Sequence, residues 1–247
     1  MPHRSRLLPF ALVAIATIGC DPAGSSTDEP ATPAVAPVPS PSPSETPPPV
    51  ETEFRMHAYF DALDALESAA LRGEVVTANE QASALLEHME DGTWPERWRP
   101  HRPAVIEAVT RLSHARTSSE MATQIASVAA ACGRCHSALS VHPMLDDGLE
   151  PREDDTPTAR LERLRWGVER LRDGLVLHST RAWANGAATV QRNGPPHTTT
   201  DLAPGAPPWP DDLLARATAA TTIPQRSRIY GEVLASCAGC HAARDAR

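Results

Sequence analysis

Two five-residue stretches carry the chemistry of this chain: Cys132-Gly133-Arg134-Cys135-His136 and Cys237-Ala238-Gly239-Cys240-His241. Two thiols three residues apart, with an imidazole directly after the second, have the spacing by which a c-type haem is attached. The thiols add to the two vinyl groups of the porphyrin, and the imidazole takes one axial position on the iron. On a helix, positions i, i+3 and i+4 share a face, so all three groups can address one flat ring. The sequence therefore predicts two covalent haem c groups, anchored by Cys132, Cys135, Cys237 and Cys240, with His136 and His241 as proximal iron ligands. A redox disulfide would not need the following His and would sit in a βαβ context that the chain lacks. A zinc site would need two further soft ligands near each copy, and no other cysteine lies close.

Helices must present these groups, and the apolar spacing predicts them. Met56, Phe60, Leu63, Leu66 and Ala70 recur at three- and four-residue steps until Gly73 ends the run. Ala78, Ala82, Leu85 and Met89 mark a second helix. Asp91 to Arg102 reads as a loop, and Pro103 opens a third helix with Val105, Ile106, Val109 and Leu112 inside. Thr117 and Glu120 have the spacing of a capping box. The fourth helix follows with Met121, Ile125 and Val128, and the first motif lies in its last turns. Met89 and Met121 fall inside these stripes and read as core.

The cycle then repeats. Residues 141–156 read as a linker. Leu161, Leu164, Val168, Leu171 and Leu175 form one stripe, and Trp183, Ala187 and Val190 a shorter one. Arg192 to Pro208 reads as a loop. Leu213, Leu214 and Ala217 suggest a third helix, and Ile229, Val233 and the second motif a fourth. A constant step of 105 carries Cys132 to Cys237, Val128 to Val233, Leu85 to Val190 and Leu66 to Leu171. An ungapped step that keeps stripes and motif together argues for a duplicated domain.

Each motif closes its half, after about three helices of chain. That layout resembles the class II c-type cytochromes, the cytochrome c′ group, over residues 51–140 and 157–247. The resemblance implies an all-α fold of two tandem antiparallel four-helix bundles, each with a haem on its last helix. It also implies a distal ligand. In low-spin members a Met near the start of the first helix binds the iron opposite the His, and Met56 lies there. The competing reading of Met56 is a core side chain at an amphipathic position. His57 would point about 100° away around the helix. The same step sets Leu161 where the first half has Met56, so the second iron is expected to be five-coordinate or to take another ligand. His178 and His197 are the candidates, and His142 and Met144 in the linker could swing to either haem.

Ahead of the helices, residues 1–19 combine His3, Arg4 and Arg6 with an apolar run from Leu7 to Ile18, the pattern of a secretion signal. The ending Thr17-Ile18-Gly19-Cys20 resembles a bacterial lipoprotein signal, which implies that Cys20 is lipidated and becomes the first mature residue. Thr17 departs from the Leu usual at that position. Residues 20–50 form a Pro-rich tether expected to be disordered and polyproline-like. At about 3.1 Å per residue it could reach roughly 90 Å.

The chain of 247 residues carries a net charge of −8, and all 23 of its basic residues are Arg, with no basic block. With aromatic residues at 4%, this argues against nucleic acid as a partner. The expected protein is an exported dihaem carrier of electrons rather than an enzyme. It would be anchored by lipid at the periplasmic face of a membrane, with redox proteins or respiratory-chain components as partners. The resemblance also implies a homodimer as one arrangement, since bundles of this class often pair through their first two helices, although a duplicated chain can satisfy that contact internally. Two alternatives keep the haems and change their use: a nitric oxide or carbon monoxide module at the open second iron, or a dihaem peroxidase. The apolar stripe around Leu161 speaks against the peroxidase, which needs polar acid–base groups over the iron.

Overall fold

The computed structural model describes residues 50–91, 94–141, 156–194 and 212–245, with positions 143, 150, 151 and 154 between the second and third of these ranges. Every described element is helical. In chain order they are α1 (Val50–Leu71), α2 (Val75–Asp91), a 3₁₀ turn (Glu96–Trp98), α3 (Arg102–Ser113), α4 (Ser118–Ala138), α5 (Pro157–Val176), α6 (Thr180–Asn193), α7 (Leu213–Ala219) and α8 (Ile223–Asp245). No strand occurs among the described residues. The described residues all fall within one compact unit. The signal sequence, Cys20, almost all of the tether, His142, Met144 and His197 lie outside the described residues. Among the described residues no helix is long and apolar enough to cross a membrane.

Local chemistry sets the ends of these helices. Gly73 holds φ at +75°, the left-handed conformation that closes α1. Its neighbour Glu74 donates its N–H back to the Ala69 carbonyl at 3.0 Å. Thr117 caps α4, its hydroxyl accepting from the Glu120 N–H at 3.1 Å. The Glu120 carboxylate accepts in turn from the Arg116 N–H at 2.7 Å, one residue earlier than a standard capping box. Thr156 and Ser179 cap α5 and α6 in the same way.

The step of 105 reappears in three dimensions. It carries Ser118, the first residue of α4, to Ile223, the first residue of α8, and Leu71, the last of α1, to Val176, the last of α5. It carries Thr117 and Glu120 to Thr222 and Gln225, which form a second capping box: the Thr222 hydroxyl accepts from the Gln225 N–H and the Gln225 amide oxygen from the Thr222 N–H. It also carries Gly73 to His178, whose φ of +53° fills the same left-handed turn.

In the first half α1 packs on α2, α2 on α3, α3 on α4, and α4 back on α1. Neighbours run antiparallel. The start of α2 meets the end of α3 where Asn79 donates to the Ala115 carbonyl, and the end of α1 meets the start of α4 where Gly73 faces Ser118. The second half repeats the circuit with α5, α6, α7 and α8. The halves join along α4 and α8, which cross antiparallel: the Ser227 hydroxyl donates to the Ala126 carbonyl at 3.0 Å, and a Cβ on Gly231 would touch the Ala126 Cβ at 3.4 Å. Positions 126 and 231 correspond under the repeat, so the same site of each half meets the other, as in a twofold interface.

The core follows the predicted stripes. Leu63, Leu66, Ala70, Ala82, Leu85, Met89, Val109, Leu112, Met121, Ile125 and Val128 are buried, as are Val168, Leu171, Leu175, Trp183, Val190 and Val233. Leu161 departs from its expected stripe: it stands 63% exposed on the first turns of α5. The same end of α5 meets the end of α6, where Arg160 donates to the Asn193 and Gly194 carbonyls, so the exposure belongs to one face of the helix and not to its end.

Candidate haem sites

The first motif occupies the last two turns of α4. Cys135 is buried, Cys132 and His136 are half-buried, and Arg134 faces water. Gly133 lies hard against the end of α5, where a Cβ would come within 2.0 Å of the Leu175 carbonyl oxygen. This close approach lets the imidazole reach the neighbouring helix. His136 Nδ1 lies 2.8 Å from the Val176 carbonyl oxygen. A carbonyl only accepts, so Nδ1 carries the proton and donates it. Val176 ends α5, where carbonyls lack an intrahelical partner, so this one is available. The His136 carbonyl is held as well, by the Val141 N–H at 2.9 Å in the turn that closes α4.

That bond fixes the tautomer. With the proton on Nδ1, Nε2 keeps its lone pair for a metal, the way a second partner orients a ligating histidine. Burial lowers the His136 pKa, against the pull of the Val176 bond, and favours the neutral ring that ligation needs.

The thiols have the opposite character to a redox pair. Burial pushes Cys132 and Cys237 up to about 12, each helped by the second thiol of its own motif. Burial also raises Cys135. Reactive cysteines have lowered pKa values, whereas an uncharged buried sulfur is the state that a thioether preserves. All four motif cysteines are free. Among the described residues no group of three or more His, Cys, Asp or Glu side chains could hold a metal ion. A haem iron takes its equatorial ligands from the porphyrin and asks the chain for one or two side chains only. The residues of the first motif thus fit a covalent haem.

Met56 is half-buried and packs against the core, while His57 is exposed. With Gly73 beside Ser118, Met56 lies seventeen residues back along α1 and Cys135 seventeen forward along α4. Antiparallel helices in contact bring those two positions to one level. The same count puts Leu161 level with Cys240 in the second half. His178 is different. It follows the end of α5, which packs on the start of α8 where Arg226 donates to the Gly174 carbonyl at 3.5 Å. His241 is fifteen residues further along α8, about 22 Å away, so His178 is at the wrong end to serve the second iron.

The second motif lies in the last turns of α8, with Cys237 and Cys240 half-buried and His241 exposed. Ala238, which replaces Gly133 under the repeat, is fully buried.

Sequence reasoning missed a group beside this motif. Glu67, Arg172 and Tyr230 are all buried where α1, α5 and α8 meet. The Tyr230 hydroxyl donates to Glu67 Oε2, and Arg172 donates to the same oxygen at 3.3 Å and to Asp64. Arg172 also lies over the Phe60 ring at 4.7 Å. The signal was present: Glu67 is a carboxylate inside the stripe Leu63, Leu66, Ala70. Compared with known protein families, characterised proteins and solved structures, the chain matches none.

Proposed function

We propose that this chain is an exported two-haem c-type electron carrier, built from two four-helix bundles of the cytochrome c′ kind. The circuits α1 to α4 and α5 to α8, repeated helix for helix at one step, support the bundles. The bond from His136 Nδ1 to the Val176 carbonyl carries the functional reading, because it leaves a neutral imidazole with a free Nε2 beside two buried thiols. Cys132, Cys135, Cys237 and Cys240 would anchor the two groups, and His136, His241 and, in the first half, Met56 would bind iron. Each haem, when bound, supplies a one-electron couple. The chain holds it, excludes water from one side and sets its potential. Thioether ligation at Met56 favours the reduced state and sets the first potential above the second. Lipid on Cys20 and the Pro-rich tether hold the carrier at the periplasmic membrane face, where it meets redox proteins.

The test is direct. Protein exported in a host that attaches haem c should give a pyridine haemochrome and a mass with two added tetrapyrroles. Optical and EPR spectra of Met56→Ala should lose one low-spin signal and leave the other centre unchanged. A mature protein without tetrapyrrole mass would end the proposal.

A further inference from the structure

Glu67, Tyr230 and Arg172 form a closed polar network in the middle of an apolar interface that could have been filled with leucines. Removing a carboxylate from water is costly unless it is paired. This one is paired with Arg172 and bonded by Tyr230, yet both partners leave it able to titrate. Tyr230 precedes Cys237 by seven residues on α8, which puts the two on the same face, two turns or about 10.5 Å apart. The Glu67 charge is felt at the Cys237 sulfur. Asp64, one turn from Glu67 on α1 and 43% exposed at its side chain, bonds Arg172 and connects the network to water.

We propose that Glu67, held by Tyr230 and Arg172, is a proton-exchanging site coupled to the electron at the second haem. This inference rests on the electron-carrier reading. When one electron from a one-electron donor reduces the second iron from ferric to ferrous, the donor is oxidised by one electron. The Glu67 carboxylate then takes one proton from water, so the buried interior gains no net charge. When the electron leaves, Glu67 returns the proton.

The groups facing Glu67 permit this. Burial raises its carboxyl to about 7, against Arg172 and the Tyr230 bond, with Asp64 and Glu169 adding to the rise. Asp173 faces Arg172 and Tyr230 from α5. The buried core side chains that α2 and α4 contribute are apolar, Leu85 and Ile125 among them. The first half has no copy of the device, because the repeat replaces Glu67 by Arg172 and Tyr230 by Ile125.

The experiment is a potentiometric titration of the full chain at a series of pH values from 5 to 9, after the haemochrome has shown two haems. The second haem is the centre whose spectrum does not respond to Met56→Ala. Its potential should fall as pH rises through neutrality, by up to about 59 mV for each tenfold drop in proton concentration, while the first changes less than half as much. Glu67→Gln should flatten the slope. It should also abolish a redox-linked infrared band of a protonated carboxyl. Tyr230→Phe keeps the ring and removes the donor, so its break should move to higher pH. A flat potential in the wild-type protein, or an unchanged slope in Glu67→Gln, overturns this inference and leaves the electron carrier standing. Absence of the second haem overturns both.

Discussion

At the scale of single residues, Gly133 and Glu67 make the sharpest predictions. The Cβ of Gly133→Ala would have to occupy space 2.0 Å from a backbone oxygen, where no flexible side chain can yield. Either α4 or α5 must move, and the His136 bond to Val176 breaks with it. Overpacking of this kind costs typically 1–3 kcal/mol, so the variant should unfold about 3 kcal/mol more easily in urea and its first haem should change spectrum. Glu67 makes stability depend on pH. Its folded carboxyl lies near 7 against an ordinary value of 4.5, so between those pH values the folded state binds the extra proton. Stability from this group is full below about 4.5 and is lost as pH rises through about 7, a fall of about 3 kcal/mol. Urea titrations at pH 5 and pH 8 should show that fall in the wild type and a smaller one in Glu67→Gln. Equal falls in the two proteins would mean that Glu67 titrates normally.

At the scale of helices, the second half is held by glycine. A Cβ on Gly186 would meet the Gly167 carbonyl oxygen and the Leu171 backbone nitrogen at 2.7 Å, and one on Gly174 would meet the Trp183 backbone at 2.8 Å. These contacts bring α5 and α6 together nearly backbone to backbone. An exposed helix would gain about 1 kcal/mol from Gly→Ala. Gly186→Ala should do the reverse and lose about 2 kcal/mol to overpacking, read as a lower urea midpoint with unchanged helical circular dichroism. The sequence shows Gly167, Gly174 and Gly186 but not what they touch, because a missing side chain carries no periodic signal. The elements themselves were legible: Thr117 at a cap, Gly73 at a stop, and stripes whose members nearly all reached the core. Leu161 was not: its stripe runs on into the buried Val168, Leu171 and Leu175, and periodicity alone does not say at which member of a stripe burial starts. Half of the site was legible for a similar reason. Cys132, Cys135 and His136 declare their chemistry by type and spacing. Val176 contributes only its carbonyl, and any residue has one.

At the scale of the molecule, the antiparallel crossing of α4 and α8 decides how the two centres relate. Both chains of helix meet at Ala126 and Gly231, and each motif is centred eight residues beyond its meeting point, in opposite directions. At 1.5 Å per residue the two anchoring segments lie about 24 Å apart along the helix axes. A unit charge added at one end is therefore felt weakly at the other: at an effective dielectric constant of 20 the interaction is about 0.7 kcal/mol, or about 30 mV. The two haems should accordingly titrate as separate one-electron centres, each with a midpoint that shifts by less than this when the other is reduced. Exchange coupling should likewise be absent from the EPR spectrum of the fully oxidised protein. The comparison of Met56→Ala with wild type isolates the effect. Lowering the first potential by removing the thioether changes which centre is reduced first, yet the second midpoint should stay within about 30 mV of its wild-type value. A larger displacement would mean that the two rings approach through the core far more closely than their anchors do, and the picture of one carrier with two independent ends would fail.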